Sequence, residues 1–116
     1  MHLQRFENGT VDVIRLPQRL TMADAATYRH EIRDLVDEGH THLVMEMGDV
    51  QFVDSSGLSV LVSAIKAARS AGGEVVLSGL TPQVQALVEL TRLHHLFEIF
   101  ADEQSAVLFL DSRAAA

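Results

Sequence analysis

Val53-Asp54-Ser55-Ser56-Gly57-Leu58 is the stretch on which the fold turns. Upstream of it, Leu43-Val44-Met45-Glu46-Met47 is a compact apolar run of the kind that forms a strand covered on both faces. Gly48-Asp49-Val50-Gln51 breaks that run, and Phe52-Val53 is apolar again. Downstream, Leu58, Leu61, Val62, Ile65 and Ala68 recur at helical spacing as far as the breaker Gly72-Gly73. A strand follows at Glu74–Ser78, with Val75-Val76-Leu77 at its centre. Strand, loop, helix and strand in that order make a crossover unit, which joins parallel strands.

The pattern extends in both directions. His2–Phe6 and Thr10–Leu16 are apolar-rich segments around Asn8-Gly9, the preferred pair for a two-residue type I′ turn, so a β-hairpin opens the chain and Pro17 ends its second strand. From Met22 to Glu38 the period becomes helical, with Ala25, Tyr28, Ile32, Leu35 and Val36 on one side, Thr21 at the N-cap and Gly39 at the stop. Toward the C-terminus, Thr81 and Pro82 mark a helix start, because proline lacks an amide that would be orphaned at the first position anyway. Val84, Leu87, Val88 and Thr91 form its inward stripe. Phe97–Phe100 reads as a last short strand, and Asp102 caps a final helix that buries Ala106, Phe109 and Leu110.

The order β-β-α-β-α-β-α-β-α predicts an α/β domain, with a mixed, mostly parallel sheet of about five strands, an N-terminal hairpin and about four helices. Residues 1–111 form a single domain and 112–116 a frayed tail. In such a sheet the strand-to-helix loops emerge at the carboxyl edge, where open α/β domains place their sites. Pro17–Thr21, Gly48–Ser55 and Gly79–Pro82 are therefore expected together.

Composition narrows the function. A chain of 116 residues is one domain with room for an unstapled core. The absence of cysteine excludes a disulfide framework, a thiolate metal site and a cysteine nucleophile, and fits a reducing, cytoplasmic setting. Nine basic against 16 acidic residues leave a net charge of −7, and Lys66 is the single lysine. That charge argues against nucleic acid and acidic membrane surfaces as partners. No apolar run is long enough for a signal peptide or a membrane span.

The central stretch carries the chemistry. Ser55 is expected at the N-cap of a helix starting at Ser56, with its hydroxyl accepting from an amide of the first turn. The free amides there and the helix dipole form a local anion site, where the fold tolerates a phosphate on Ser55. Gly57 leaves room for a partner or a kinase to approach the backbone. Serine at an N-cap is also a common structural device, and Asp54 equally suits a capping role.

Val53-Asp54-Ser55-Ser56-Gly57-Leu58, the apolar helix after it, Gly72-Gly73, the Val-rich strand and Leu80-Thr81-Pro82-Gln83-Val84 together resemble a STAS domain, and within that family the bacterial anti-sigma factor antagonists. The likeness is tightest over Leu43 to Phe100. It implies that Ser55, or the adjacent Ser56, is phosphorylated by a partner that is both serine kinase and anti-sigma factor. It further implies that the unphosphorylated domain binds that partner, that phosphorylation releases it, and that a separate serine phosphatase resets the switch. Asp54, Ser56, Gly57 and Thr81 would shape the docking edge. Leu16-Pro17-Gln18-Arg19-Leu20-Thr21 departs from the family's Gly-x-Leu-Asp-like turn, with Thr21 near the acidic position and Arg19 offering a cation to the partner. No cofactor is expected, and the chain is expected as a monomer or weak homodimer.

Other readings have less behind them. A serine hydrolase needs Gly-x-Ser-x-Gly and an ordered base, whereas Val53-Asp54-Ser55-Ser56-Gly57 lacks the first glycine and His94-His95 lie at the end of the third helix. A phospho-receiver domain needs an early acidic pair and a lysine at the site, and Lys66 is mid-helix. His40-x-His42 lacks a nearby third metal ligand, so no metal is expected. A STAS scaffold, or an accessory subunit of a signalling assembly or transport system, is the remaining non-enzymatic alternative.

Overall fold

The computed structural model describes residues 2–114. Strand β1 (Gln4–Asn8) and strand β2 (Val11–Arg15) form an antiparallel hairpin. A two-residue strand, β3 (Arg19–Leu20), precedes helix α1 (Met22–Asp37). Strand β4 (His42–Glu46) is followed by the short β5 (Phe52–Val53) and helix α2 (Ser55–Ser70). Strand β6 (Glu74–Ser78), helix α3 (Pro82–Leu90), a 3₁₀ turn at Leu93–His95, strand β7 (Ile99–Phe100) and helix α4 (Glu103–Ala114) complete the order.

The main sheet has the strand order β1-β2-β4-β6-β7, antiparallel only at the β1 edge and parallel elsewhere. The α/β class, the five-stranded mixed sheet and the four helices read from the sequence are borne out. Alternate residues of β4 separate two cores. Leu43 and Met45 face the layer built by α1, α2 and α3, together with Ile32, Leu61, Ile65 and Val88. Val44 faces the opposite layer, where α4 contributes Ala106, Val107 and Leu110 against Val11, Val13 and Val76. Burial on both faces is why the central strands read as continuous apolar runs. Each fully buried leucine or isoleucine in these layers contributes about 1.5–3 kcal/mol.

Several local expectations shift. The hairpin pairs Asn8 with Val11, so the turn is Gly9-Thr10 and not Asn8-Gly9. Gly9 alone has positive φ, +65°, which excludes type I′ and matches a turn with glycine at its first central position. This register sets Glu7 opposite Asp12, and Arg5 bonds both carboxylates, at 2.9 and 2.7 Å, offsetting their repulsion. Strands β3 and β5 pair in parallel as a separate two-stranded sheet. Two residues per strand are too few for any periodicity to reveal. The last strand contracts to Ile99–Phe100. Helix α4 continues through Ser112-Arg113-Ala114, inside the segment expected to fray, and Arg113 lies 3.7 Å from Glu74. Residues 115 and 116 lie outside the described residues.

Candidate functional site

The loops expected at the carboxyl edge do meet there. Gln18 carbonyl oxygen accepts from the amides of Gln51 and Phe52, at 2.8 and 3.2 Å, and the Gln18 amide side chain donates to that of Gln51 at 2.9 Å. The Thr81 hydroxyl donates to the Val50 carbonyl at 3.2 Å, which ties the third loop to the second. Glu46, at the end of β4, accepts from the Gly48 amide at 2.6 Å and from the Ser78 hydroxyl at 2.8 Å. Both loops therefore leave the sheet from one carboxylate. Gly79 passes so close that a Cβ there would sit 2.9 Å from the Glu46 Oε1.

Asp54 is the keystone of this edge. It is the N-cap of α2, and its Oδ1 accepts from the Gly57 amide at 2.8 Å. Its Oδ2 accepts from the Met22 amide at 2.9 Å, the first amide of α1. One carboxylate thus caps two helices. The Gly57 and Met22 amides hold its pKa below the ordinary aspartate value, because both bonds favour the charged form. Thr21 occupies the N-cap position of α1 but makes no side-chain cap bond, so the expected capping role passes to Asp54.

The position of Ser55 is corrected by one residue. Helix α2 starts at Ser55, so Ser55 is its first residue and its hydroxyl takes no part in the cap. Ser55 is exposed, whereas Ser56 is half-buried. The reason is chemical: a carboxylate accepts two amides at once, and the residue before Ser55 already reaches both. The anion site expected of the first turn is narrowed, since the Asp54 carboxylate already takes the Gly57 amide.

Gly57 is also reassigned. It is buried, and a Cβ at this position would meet the Leu20 carbonyl oxygen at 2.0 Å. The missing side chain makes room for β3, not for a partner. The Asp54 amide donates to that same Leu20 carbonyl at 3.3 Å. Gly57 and Leu20 together press the start of α2 against the loop that leads into α1.

Arg19 and Thr81 come together on a shallow concavity with Gln18, Gln51, Phe52 and Gln83. The Arg19 guanidinium lies 4.8 Å from the centre of the Phe52 ring. Thr81 caps α3 by accepting from the Val84 amide at 3.4 Å. Two residues not singled out in the sequence stand out here. Phe52 is 49% exposed and Met22 is 75% exposed, beside the Asp54 network on the strand and helix that the network joins. The sequence leaves Phe52 inside the Gly48–Ser55 loop and puts Met22 at a helix start, and neither reading reports which apolar side chain is left uncovered.

The histidines lie elsewhere. His40 is bonded to Asp12 at 2.9 Å, and His42 to the Thr41 hydroxyl at 3.2 Å. His94 and His95 stack at 4.0 Å in the 3₁₀ turn after α3, not on α3 itself. Among the described residues no group of three or more His, Asp or Glu side chains is placed to hold a metal ion. No helix among them is long and apolar enough to cross a membrane.

The family model described as STAS domain matches residues 4–106. The chain belongs to the STAS domain family. This STAS domain is 39% identical over 98 residues to the anti-sigma-B factor antagonist of Listeria monocytogenes, covering 84% of this chain and 78% of that protein. It is 31% identical over 70 residues to the anti-sigma F factor antagonist of Paenibacillus polymyxa, a match that spans 60% of each chain. The Bacillus cell fate determinant SpoIIAA in its phosphorylated form superposes on the STAS domain with a TM-score of 0.72 at 20% identity, covering 90% of this chain and 96% of that one. That last likeness establishes the shared fold.

Proposed function

We propose that this STAS domain is an anti-sigma factor antagonist switched by phosphorylation of Ser55. The observation that carries the reading is the division of labour at the start of α2. Asp54 and Gly57 are committed to holding the backbone, while Ser55 between them is exposed and structurally uncommitted. A kinase can therefore reach the hydroxyl without unfolding the helix. Ser56 is the secondary acceptor, disfavoured by its partial burial.

The switch follows from charge. In the unphosphorylated state the edge offers Phe52, Met22, Arg19 and Thr81 to a protein partner, the anti-sigma factor and serine kinase. Transfer of the ATP γ-phosphoryl group to Ser55 Oγ releases ADP and the hydroxyl proton. It adds about −1.5 to −2 charges beside the Asp54 carboxylate. The helix terminus favours that charge, so the fold survives, but a partner surface packed on the edge meets new repulsion and desolvation cost. A serine phosphatase restores binding. On this reading the domain is a kinase substrate and not an enzyme. It works in the cytoplasm as a monomer or weak homodimer, and its effect on transcription passes through proteins, consistent with the net charge of −7.

The test is incubation with the cognate kinase and ATP, then peptide mass mapping. A phosphoryl group on Ser55 is expected, and its absence from both Ser55 and Ser56 would overturn the switch. Ser55→Asp should weaken binding to the anti-sigma factor with native circular dichroism. Unfolding of that variant would make Ser55 chiefly structural.

A further inference from the structure

A cationic groove runs between α1 and α2, beside the switch. It is lined by Arg29, Arg33 and Lys66 and by the hydroxyls of Ser59, Ser63 and Ser70, with no carboxylate among its lining residues. Acidic residues outnumber basic ones 16 to 9 in this chain, yet three of the nine cations gather here. Arg5, Arg15 and Arg113 are ion-paired, but among the described residues no carboxylate lies within 4.0 Å of Arg29, Arg33 or Lys66. A surface so rich in carboxylates has left these three cations without one.

The arrangement is regular. Arg29 and Arg33 stand one turn apart on α1, and Ser59, Ser63, Lys66 and Ser70 follow one stripe of α2. From Ser59 to Ser70 the stripe covers about 16 Å at the helical rise per residue. An extended chain advances about 3.3 Å per residue, so the groove matches about five residues of extended peptide. The upper end is tied to the switch helix: Arg29 donates to the Ser59 hydroxyl at 2.9 Å, and Ser59 donates to the Ser56 carbonyl at 2.6 Å. The two side chains are thereby held in place before any ligand arrives, which lowers the ordering cost of binding.

We infer that this groove docks an extended acidic segment of a protein partner. The chemistry that selects it is charge complementarity along a line. A single small anion would be gripped by cations converging on one point, whereas these are spread along two helices. A nucleic acid carries its charge well past the ends of the groove, where the acidic remainder of the surface repels it, whereas a five-residue acidic segment lies within reach of the three cations. Half-buried Val62 and Ala67 line the same groove and give the stems of the acidic side chains apolar contact.

The inference is tested on the full chain, isotope-labelled for NMR, with an end-capped penta-glutamate peptide as probe. Penta-lysine and inorganic phosphate serve as comparisons. Penta-glutamate should move the amide signals of Arg29, Arg33, Ser59, Ser63 and Lys66. Its affinity should fall about tenfold between about 20 and about 200 mM salt, as screening shortens the reach of the charges. The double variant Arg33→Glu/Lys66→Glu should abolish the shifts, and Ser55→Asp should leave them in place. If the double variant is unfolded, Arg33→Gln/Lys66→Gln serves in its place. The inference is overturned by shifts that are absent or map elsewhere, or by a charge variant that binds as the wild type does. Inorganic phosphate reproducing the shifts at equal concentration would overturn it in favour of a small-anion site. A salt-sensitive dimer of the free chain that the variant abolishes would overturn it in favour of a second copy. None of these readouts depends on phosphorylation of Ser55, so the groove and the switch can fail separately.

Discussion

The Asp54 carboxylate accepts the Met22 amide at 2.9 Å, across 32 positions of sequence, and so supplies the N-terminal cap of a helix to which it does not belong. Its other oxygen caps its own helix through Gly57. The two helices that flank the switch therefore start from one charge, and four consequences can be measured.

Asp54→Ala should lower the thermal midpoint far more than Thr21→Ala. The alanine at 54 removes both cap bonds, whereas the Thr21 side chain makes none. Thermal unfolding of the two variants side by side decides the point. Equal midpoints would mean that Thr21 carries the α1 cap in solution.

The Asp54 bonds also set a pH dependence. The Gly57 and Met22 amides depress its folded pKa below 3.8, so the unfolded chain binds the proton more readily. The stabilisation is complete above the ordinary aspartate range and is lost as pH falls through the depressed folded value. Asp102 adds to the same acid limb, its pKa lowered by the Ser105 amide and side chain at the start of α4. In Asp54→Asn the acid limb of a plot of thermal midpoint against pH should be shallower than in the wild type. An unchanged slope would place the acid sensitivity elsewhere.

Gly57→Ala should destabilise the domain even though alanine is the better helix former. The propensity gain is about 1 kcal/mol. Against it stands a Cβ placed 2.0 Å from the Leu20 carbonyl oxygen, which is backbone and cannot rotate away. Overpacking of this kind costs about 1–3 kcal/mol, and the clash here is severe enough to favour the upper end. Urea denaturation should show a lower midpoint with a similar slope. A raised midpoint would show that β3 can shift without penalty.

Phe52→Ala should weaken binding to the anti-sigma factor about 30-fold, the size of an interface hot spot of about 2 kcal/mol. The ring is half exposed and holds Arg19 across its face, so its loss also frees that cation. Met22→Ser should act in the same direction with a smaller effect, because Met22 enters the Asp54 network only through its backbone. Calorimetric titration checks both, with thermal melts near the wild type as the control for folding. Wild-type affinity in Phe52→Ala would remove this edge from the interface.

Sequence alone determined the α/β class, the alternation of strands and helices, and the gathering of three loops on one sheet edge. Those follow from periodicity and from punctuation by Gly72-Gly73, Thr81-Pro82 and Asp102, which are local signals that the core simply obeys. The motif Asp54-Ser55-Ser56-Gly57 was equally legible as a segment. What each of its residues does was decided by tertiary structure. Met22 and Leu20 are far from the motif in sequence, and only the packing of β3 beside β5 brings their backbone to it. Once there, the Met22 amide draws Asp54 into the cap, the Leu20 carbonyl demands glycine at 57, and Ser55 is left free. The cations of the groove behave alike: the sequence places Arg29 and Arg33 on one helix and Lys66 on another, but only the packing of α1 against α2 brings the three to one groove.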